Sequence, residues 1–169
     1  MSAEALTHLR RADRALPDED VRALLARAAY GFTATALDGQ PFQHTSLFWY
    51  DDPRRRIYFH GALAGRMMDN VRANPRVCFT VAEMGRLIPA ATAMGFGNEY
   101  ASAVVFGRAR LVESDDEKRL ALQALLDKYF PDLKPGRDYR PITADELDET
   151  AVYAIEIDAW SGKRKRAPQ

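Results

Sequence analysis

Between Tyr30 and Glu83 the chain carries four strand-like runs, and most of the joints between them are too short for a crossover. Tyr30–Leu37 is rich in aromatic residues, Thr and small residues. Asp38-Gly39 follows as a strong two-residue hairpin signal. The return run, Pro41–Tyr50, alternates Phe42, His44, Ser46, Phe48 and Tyr50 against Gln43, Thr45, Leu47 and Trp49 before Asp51-Asp52-Pro53 turns the chain again. Arg56–His60 and Arg76–Glu83 read as further strands, and Glu99–Val112 as a long one bent near Gly107. Thr150–Trp160 is the last. Parallel βαβ architecture is therefore disfavoured.

Helices fit around these runs. Val21, Leu24, Leu25 and Ala28 repeat at helical spacing within Asp18–Ala29, with Asp18, Glu19 and Asp20 at the positive end of the helix. A helix over Arg66–Ala73 must stop before Asn74-Pro75. Ser114-x-x-Glu117 reads as a capping box, followed by Leu120, Leu122, Leu125, Leu126 and Phe130 up to Pro131. Thr143-x-x-Glu146 caps a shorter helix. Met84–Asn98, with three glycines and a proline, reads as a loop or broken strand. The fold class implied is α+β: six strands in hairpin order forming an antiparallel barrel with peripheral helices, in one domain over 1–169. Residues 1–16 form an N-terminal arm, and a basic tail over 163–169 is expected to be solvated.

With 24 basic and 24 acidic residues the chain has no basic excess to hold a nucleic acid. It has no run of about 18 apolar residues to span a membrane. Cys78 is alone and the first residues carry charges throughout, so a cytoplasmic location is expected. His8, His44 and His60 share no metal-ligand spacing, and no metal site is expected. Neither G-x-S-x-G nor a Walker loop occurs, and Gly95-Phe96-Gly97 lacks the third glycine of a dinucleotide loop. What remains is Tyr58–Arg66: a strand end, a glycine loop, and an arginine in the first turn of a helix. Amide groups at a helix start favour anions, and a guanidinium can grip phosphate with two hydrogen bonds. On residue type alone, Arg66 reads as an ordinary solvated arginine.

Three stretches go further: Asp38–Tyr50, Ile57–Phe79 with His60-Gly61, Gly65-Arg66 and Asn74-Pro75, and Tyr100–Ala109 with the helix end Asp127-Lys128-Tyr129-Phe130. Together they resemble the pyridoxamine 5'-phosphate oxidase-related flavoproteins, nearest the nitroimidazole-resistance branch, over about Arg14–Lys163. The resemblance implies a split β-barrel homodimer with FMN in a cleft between subunits. It also implies that His44, Thr45, Ser46, Leu47 and Phe48 run along the isoalloxazine edge, with backbone groups making most of the hydrogen bonds. His60, Gly61 and Arg66 would face the ribityl phosphate, Ser102 would lie near the cofactor, and Trp160 and Lys163 would approach the ring.

The chain departs from the family pattern at Met67, where many relatives have Lys, and at Thr45-Ser46, where many have Val-Pro. Residues 85–98 match the short relatives poorly and would form a pocket wall of this subgroup. The implied function is FMN-dependent redox chemistry on a small molecule with a separate electron donor, nitroreductase-like or pyridoxamine-phosphate-oxidase-like. No catalytic residue is fixed, and His60 is the candidate. Its other reading is a strand-end histidine bonded to a backbone carbonyl, and the other reading of Trp160, set against the adjacent Gly162-Lys163 that favours the cofactor, is a plug at the barrel end. His44 suits a structural role, Cys78 a buried apolar thiol, and Met67 and Met68 packing. Two alternatives keep the fold: a non-catalytic flavin-binding or sensing module, and a split barrel that holds haem or a deazaflavin.

Overall fold

The computed structural model describes residues 3–167. Its elements run α1 (Ala3–Thr7), α2 (Asp18–Arg27), β1 (Gly31–Leu37), β2 (Gln40–Ser46), β3 (Trp49–Asp51), β4 (Arg56–Gly61) and α3 (Arg66–Ala73). There follow β5 (Arg76–Ile88), β6 (Gly97–Leu111), α4 (Asp115–Tyr129), α5 (Ala144–Asp148) and β7 (Ala151–Lys165). The strands form one antiparallel sheet in the order β2-β1-β5-β6-β7-β4-β3. The α+β class holds, but the described residues form seven strands and not six. The expected single strand Pro41–Tyr50 breaks after Ser46, because its first half pairs with β1 and its second half with β4.

That break shapes the molecule. β2 and β3 are the two edges of the sheet, yet only Leu47 and Phe48 separate them. Three Cα steps span at most ~11 Å, so the sheet has to coil until its edges nearly meet along this corner. The coil encloses the main core. Phe59 stacks on Tyr153 with centroids 4.9 Å apart, and Phe48 meets Phe79 edge-on at 5.0 Å. Val21, Leu24 and Leu25 of α2 join that core, so the stripe read from the sequence is its buried face. On the other side of β4 and β7, α4 covers Tyr58, Val152 and Ala154. Residues 151–155 are consequently buried in unbroken succession, as strands covered on both faces are.

Asp38 and Gly39 both take positive φ, +52° and +77°, which gives the tight hairpin turn between β1 and β2. The expected bend near Gly107 is a register shift between Phe106 and Gly107, where a Cβ would lie 2.2 Å from the Glu156 carbonyl oxygen. The Met84–Asn98 stretch is a broken strand, one of its two expected forms: β5 runs on to Ile88, β6 starts at Gly97, and residues 89–96 join them. The expectation for the basic tail needs correction. β7 runs on through Lys165, so Lys163–Lys165 pair with Tyr100–Ser102 rather than trailing in solvent. Thr143 and Glu146 form the full capping box. At Ser114 only half of one forms: Ser114 accepts from the Glu117 amide, but the Glu117 carboxylate turns instead to Tyr58 (2.8 Å) and Arg110 (2.6 Å). Among the described residues no helix is long and apolar enough to cross a membrane.

Candidate functional site

Breaking a strand leaves backbone groups without ladder partners, and those at Phe48 are buried. The C-terminal turn of α4 supplies the replacements. The Tyr129 hydroxyl accepts from the Phe48 amide at 3.2 Å and donates to the Ala29 carbonyl at 2.8 Å. Lys128 Nζ donates to the carbonyls of Ala28 (2.9 Å) and Phe48 (3.0 Å), and sits 3.8 Å over the Phe48 ring. Burial lowers the Lys128 pKa to about 8. Asp127-Lys128-Tyr129-Phe130 figured in the sequence only as a matching helix end. Nothing there says that two of its side chains hold a corner 80 residues upstream.

Around this corner the structure gathers most of the first group of candidate residues. β2 pairs only with β1, so the backbone along its other edge keeps unpaired donors and acceptors. His44 lies 5.8 Å from the Phe59 ring, and its pKa is lowered first by burial and second by the charge of nearby His60. The Ser46 hydroxyl at the end of β2 is buried without a hydrogen-bond partner among the described residues, as is that of Thr33, which faces His44 across the pair. Thr45 points outward and is exposed. Leu47 and His60 share an apolar cleft of about 410 Å³, walled by Leu122, Leu126, Tyr129 and Ile142. His60 is exposed at its rim, and among the described residues its imidazole makes no hydrogen bond. Gly61 follows it, half-buried, as the last residue of β4.

Arg66 opens α3 immediately after Gly65, whose φ of +118° is closed to residues with a Cβ. No side chain caps this helix, so its first amide groups stay free. The Arg66 guanidinium lies 5.4 Å over the Phe42 ring of β2, in a cleft of about 380 Å³ that Asp38 and Asp69 also line. Asn70 ties α3 to the barrel by donating to Thr35 Oγ1 at 2.7 Å. Met67 and Met68 are buried and pack, as expected.

The second group lies elsewhere in the chain's own fold. His60 pairs with Val152 at the start of β7, whereas Trp160 and Lys163 sit near its end. Eight residues separate Val152 from Trp160, roughly 26 Å along the strand. Ser102 pairs directly with Lys163 on β6. Trp160 is buried beneath α2: its indole donates to Asp18 at 2.9 Å, and the Arg55 guanidinium stacks 4.4 Å above it. The sequence marked Asp18 only as a helix-start charge. Among the described residues no cluster of three His, Cys, Asp or Glu could hold a metal ion.

A corner with free edge backbone, an uncapped helix start beside an arginine, and an adjoining apolar cleft can seat a flat heterocycle carrying a phosphate. The structure resembles the flavocytochrome Anf3 from Azotobacter vinelandii, with a TM-score of 0.85 and 29% identity over 99% of this chain and 77% of that one. The FAD- and haem-binding protein from Mycobacterium smegmatis matches with a TM-score of 0.78 and 25% identity, over 89% of this chain and 72% of that one. A candidate 5-nitroimidazole antibiotic resistance protein from Bacteroides thetaiotaomicron shares the fold: TM-score 0.73, 20% identity, over 89% of this chain and 86% of that one. The comparison with curated proteins gave no match. Residues 17–164 match the pyridoxamine 5'-phosphate oxidase family, and with nearly the whole barrel inside that match the chain belongs to it.

Proposed function

We propose that the protein binds a flavin at the Leu47-Phe48 corner and carries out redox chemistry on a small molecule as a homodimer. The observation that carries this reading is the free edge of β2 beside His44, Ser46, Leu47 and His60. Free backbone amides and carbonyls of residues 44–47 would orient the ring, and the unpartnered Ser46 hydroxyl offers one more hydrogen bond. Arg66 and the free amides of α3 would hold the phosphate that FMN and FAD share. The flavin itself supplies the hydride and electron chemistry, so the protein need only bind, orient and tune it. His60 could hold or move a proton at its imidazole beside the substrate cleft. The relative named for FAD and haem supports a flavin here, and the mass of the bound cofactor separates FMN from FAD.

The dimer is supported by the outer face of the sheet. The inner residues Val77, Phe79, Val81, Ala103 and Val105 are buried, yet the alternate residues Cys78, Thr80, Val104 and Phe106 are also small or apolar. Strands apolar on both faces are normally covered on both. Ser102 lies on that outer face, level with Lys163, so a second copy packed there could bring them to a flavin that one copy alone cannot reach.

A second reading has one observation in its favour. An unpartnered histidine at the rim of an apolar cleft could also ligate a haem iron, and one relative is named for FAD and haem binding while another is named a flavocytochrome. The absorption spectrum of the purified protein tests both. Flavin bands support the first reading and a Soret band the second. Colourless protein that retains neither FMN nor FAD at micromolar concentration removes the proposal.

A further inference from the structure

Beyond the Met84–Tyr100 pair, β5 and β6 leave the sheet. β1 pairs with β5 only at Cys78–Thr80, and β7 pairs with β6 no further out than Tyr100. From there to the Ile88–Gly97 pair the two strands have only each other among the described residues, with a register shift between Met84 and Leu87. A two-stranded ribbon is marginal in water unless something packs on it. This ribbon is apolar as well: residues 87–97 carry no charge, and Met84 (76%), Leu87 (68%), Met94 (96%) and Phe96 (63%) stand exposed.

We infer that residues 84–98 are an arm that reaches over a second copy of this chain and closes that copy's flavin site. The inference rests on the homodimer reading and extends it. Three observations select a second copy as the occupant. Along β5 the side chains of Cys78, Thr80, Ala82 and Met84 alternate onto one face, so the arm continues the small and apolar residues of the outer face. The arm leaves the barrel at the Ser102–Lys163 end, the end that one copy's own corner at Leu47 and His60 does not share. At its base Lys163, Lys165 and Arg166 have no carboxylate partner among the described residues, which suits a phosphate-bearing cofactor. A lipid surface would also accept an uncharged tip with cations behind it. It would not need apolar side chains running back to the middle of the sheet.

The test is made on the full chain. A photo-crosslinking amino acid at Phe96 should produce a covalent dimer whose linked peptide lies in the second copy. The double variant Met94→Glu/Phe96→Glu keeps the barrel core untouched and should retain its circular dichroism. Its flavin affinity should fall at least tenfold, and its dimer should dissociate at concentrations where the wild type stays paired. Crosslinks confined to one chain overturn the inference, as does a variant with unchanged dimer and flavin affinity. Wild-type binding to phosphatidylserine vesicles, abolished in the variant while dimer and flavin persist, assigns the arm to lipid and also overturns it. In those cases the wild type is still a dimeric flavoprotein and the proposed function stands. A wild type that is monomeric or binds no flavin sinks both.

Discussion

Arg66 lies over Phe42 with free helix-start amides beside it, an arrangement that asks for an anion. If the guanidinium grips the flavin phosphate, Arg66→Ala should weaken FMN binding by about 1.5–3 kcal/mol, the worth of a hydrogen bond to a charged group. That is roughly a tenfold to hundredfold loss. Riboflavin, without the phosphate, should bind wild type and variant alike, and calorimetric titration with both ligands separates the effect from general damage. Lys128 is a different case. Its folded pKa, about 8, lies below the ordinary 10.5 because burial penalises the charged form. From pH 8 up to 10.5 the unfolded chain holds this proton more firmly than the folded one, so this group makes stability rise with pH across that window. Competitive acetylation read by mass spectrometry should find Lys128 half-reactive near pH 8. A midpoint near 10.5 would show an ordinary solvated lysine. Neither role is visible in the sequence: Lys128 looks like any helix-end cation, and its carbonyl partners lie 80 and 100 residues away.

At the scale of elements, the strands and helices were legible because their periodicities are local, whereas the break at Leu47-Phe48 was not. Alternation runs from Phe42 to Tyr50 as if nothing happened. Only the sheet order, which sends the two halves to opposite edges, forces the chain to bend. The outward continuation of β5 and β6 was hidden for the opposite reason. Gly85, Pro89, Gly95 and Gly97 give that stretch the composition of a loop, and pairing between its halves is not a local signal. The corner itself depends on α4. Tyr129→Phe removes the acceptor for the buried Phe48 amide and the donor to Ala29, and should cost about 1–3 kcal/mol, the penalty for stranding a buried polar group. Urea unfolding of the variant should show a lower midpoint with an unchanged slope. Because Leu47 rides on this corner, flavin affinity should fall too, and an unaltered midpoint would mean that water replaces the hydroxyl without cost.

On the scale of the whole molecule, the residues that the resemblance assigns to the site fall into two groups, and His44, Leu47, His60 and Gly61 lie near one another at one corner. The resemblance could not show that Ser102, Trp160 and Lys163 lie at the other end of β7, because distance along a coiled sheet depends on the full strand order. Trp160 is moreover taken up by Asp18 and Arg55. In the proposed homodimer a site assembled from both groups would draw on two subunits, and adjacent residues on β6 can test that arrangement. Val105 faces the inner core with no exposure, while Val104 faces outward beside Thr80. Val105→Glu puts an unpaired carboxylate into the core and should prevent folding. Val104→Glu leaves the core intact but sets two carboxylates against each other across a two-fold contact. The prediction is a folded particle of 19.0 kDa in sedimentation, with the circular dichroism of the wild type and without retained flavin. A Val104→Glu protein that still sediments as a flavin-bearing dimer would place the interface on another face, and Ser102 and Lys163 would then have no route to the cofactor.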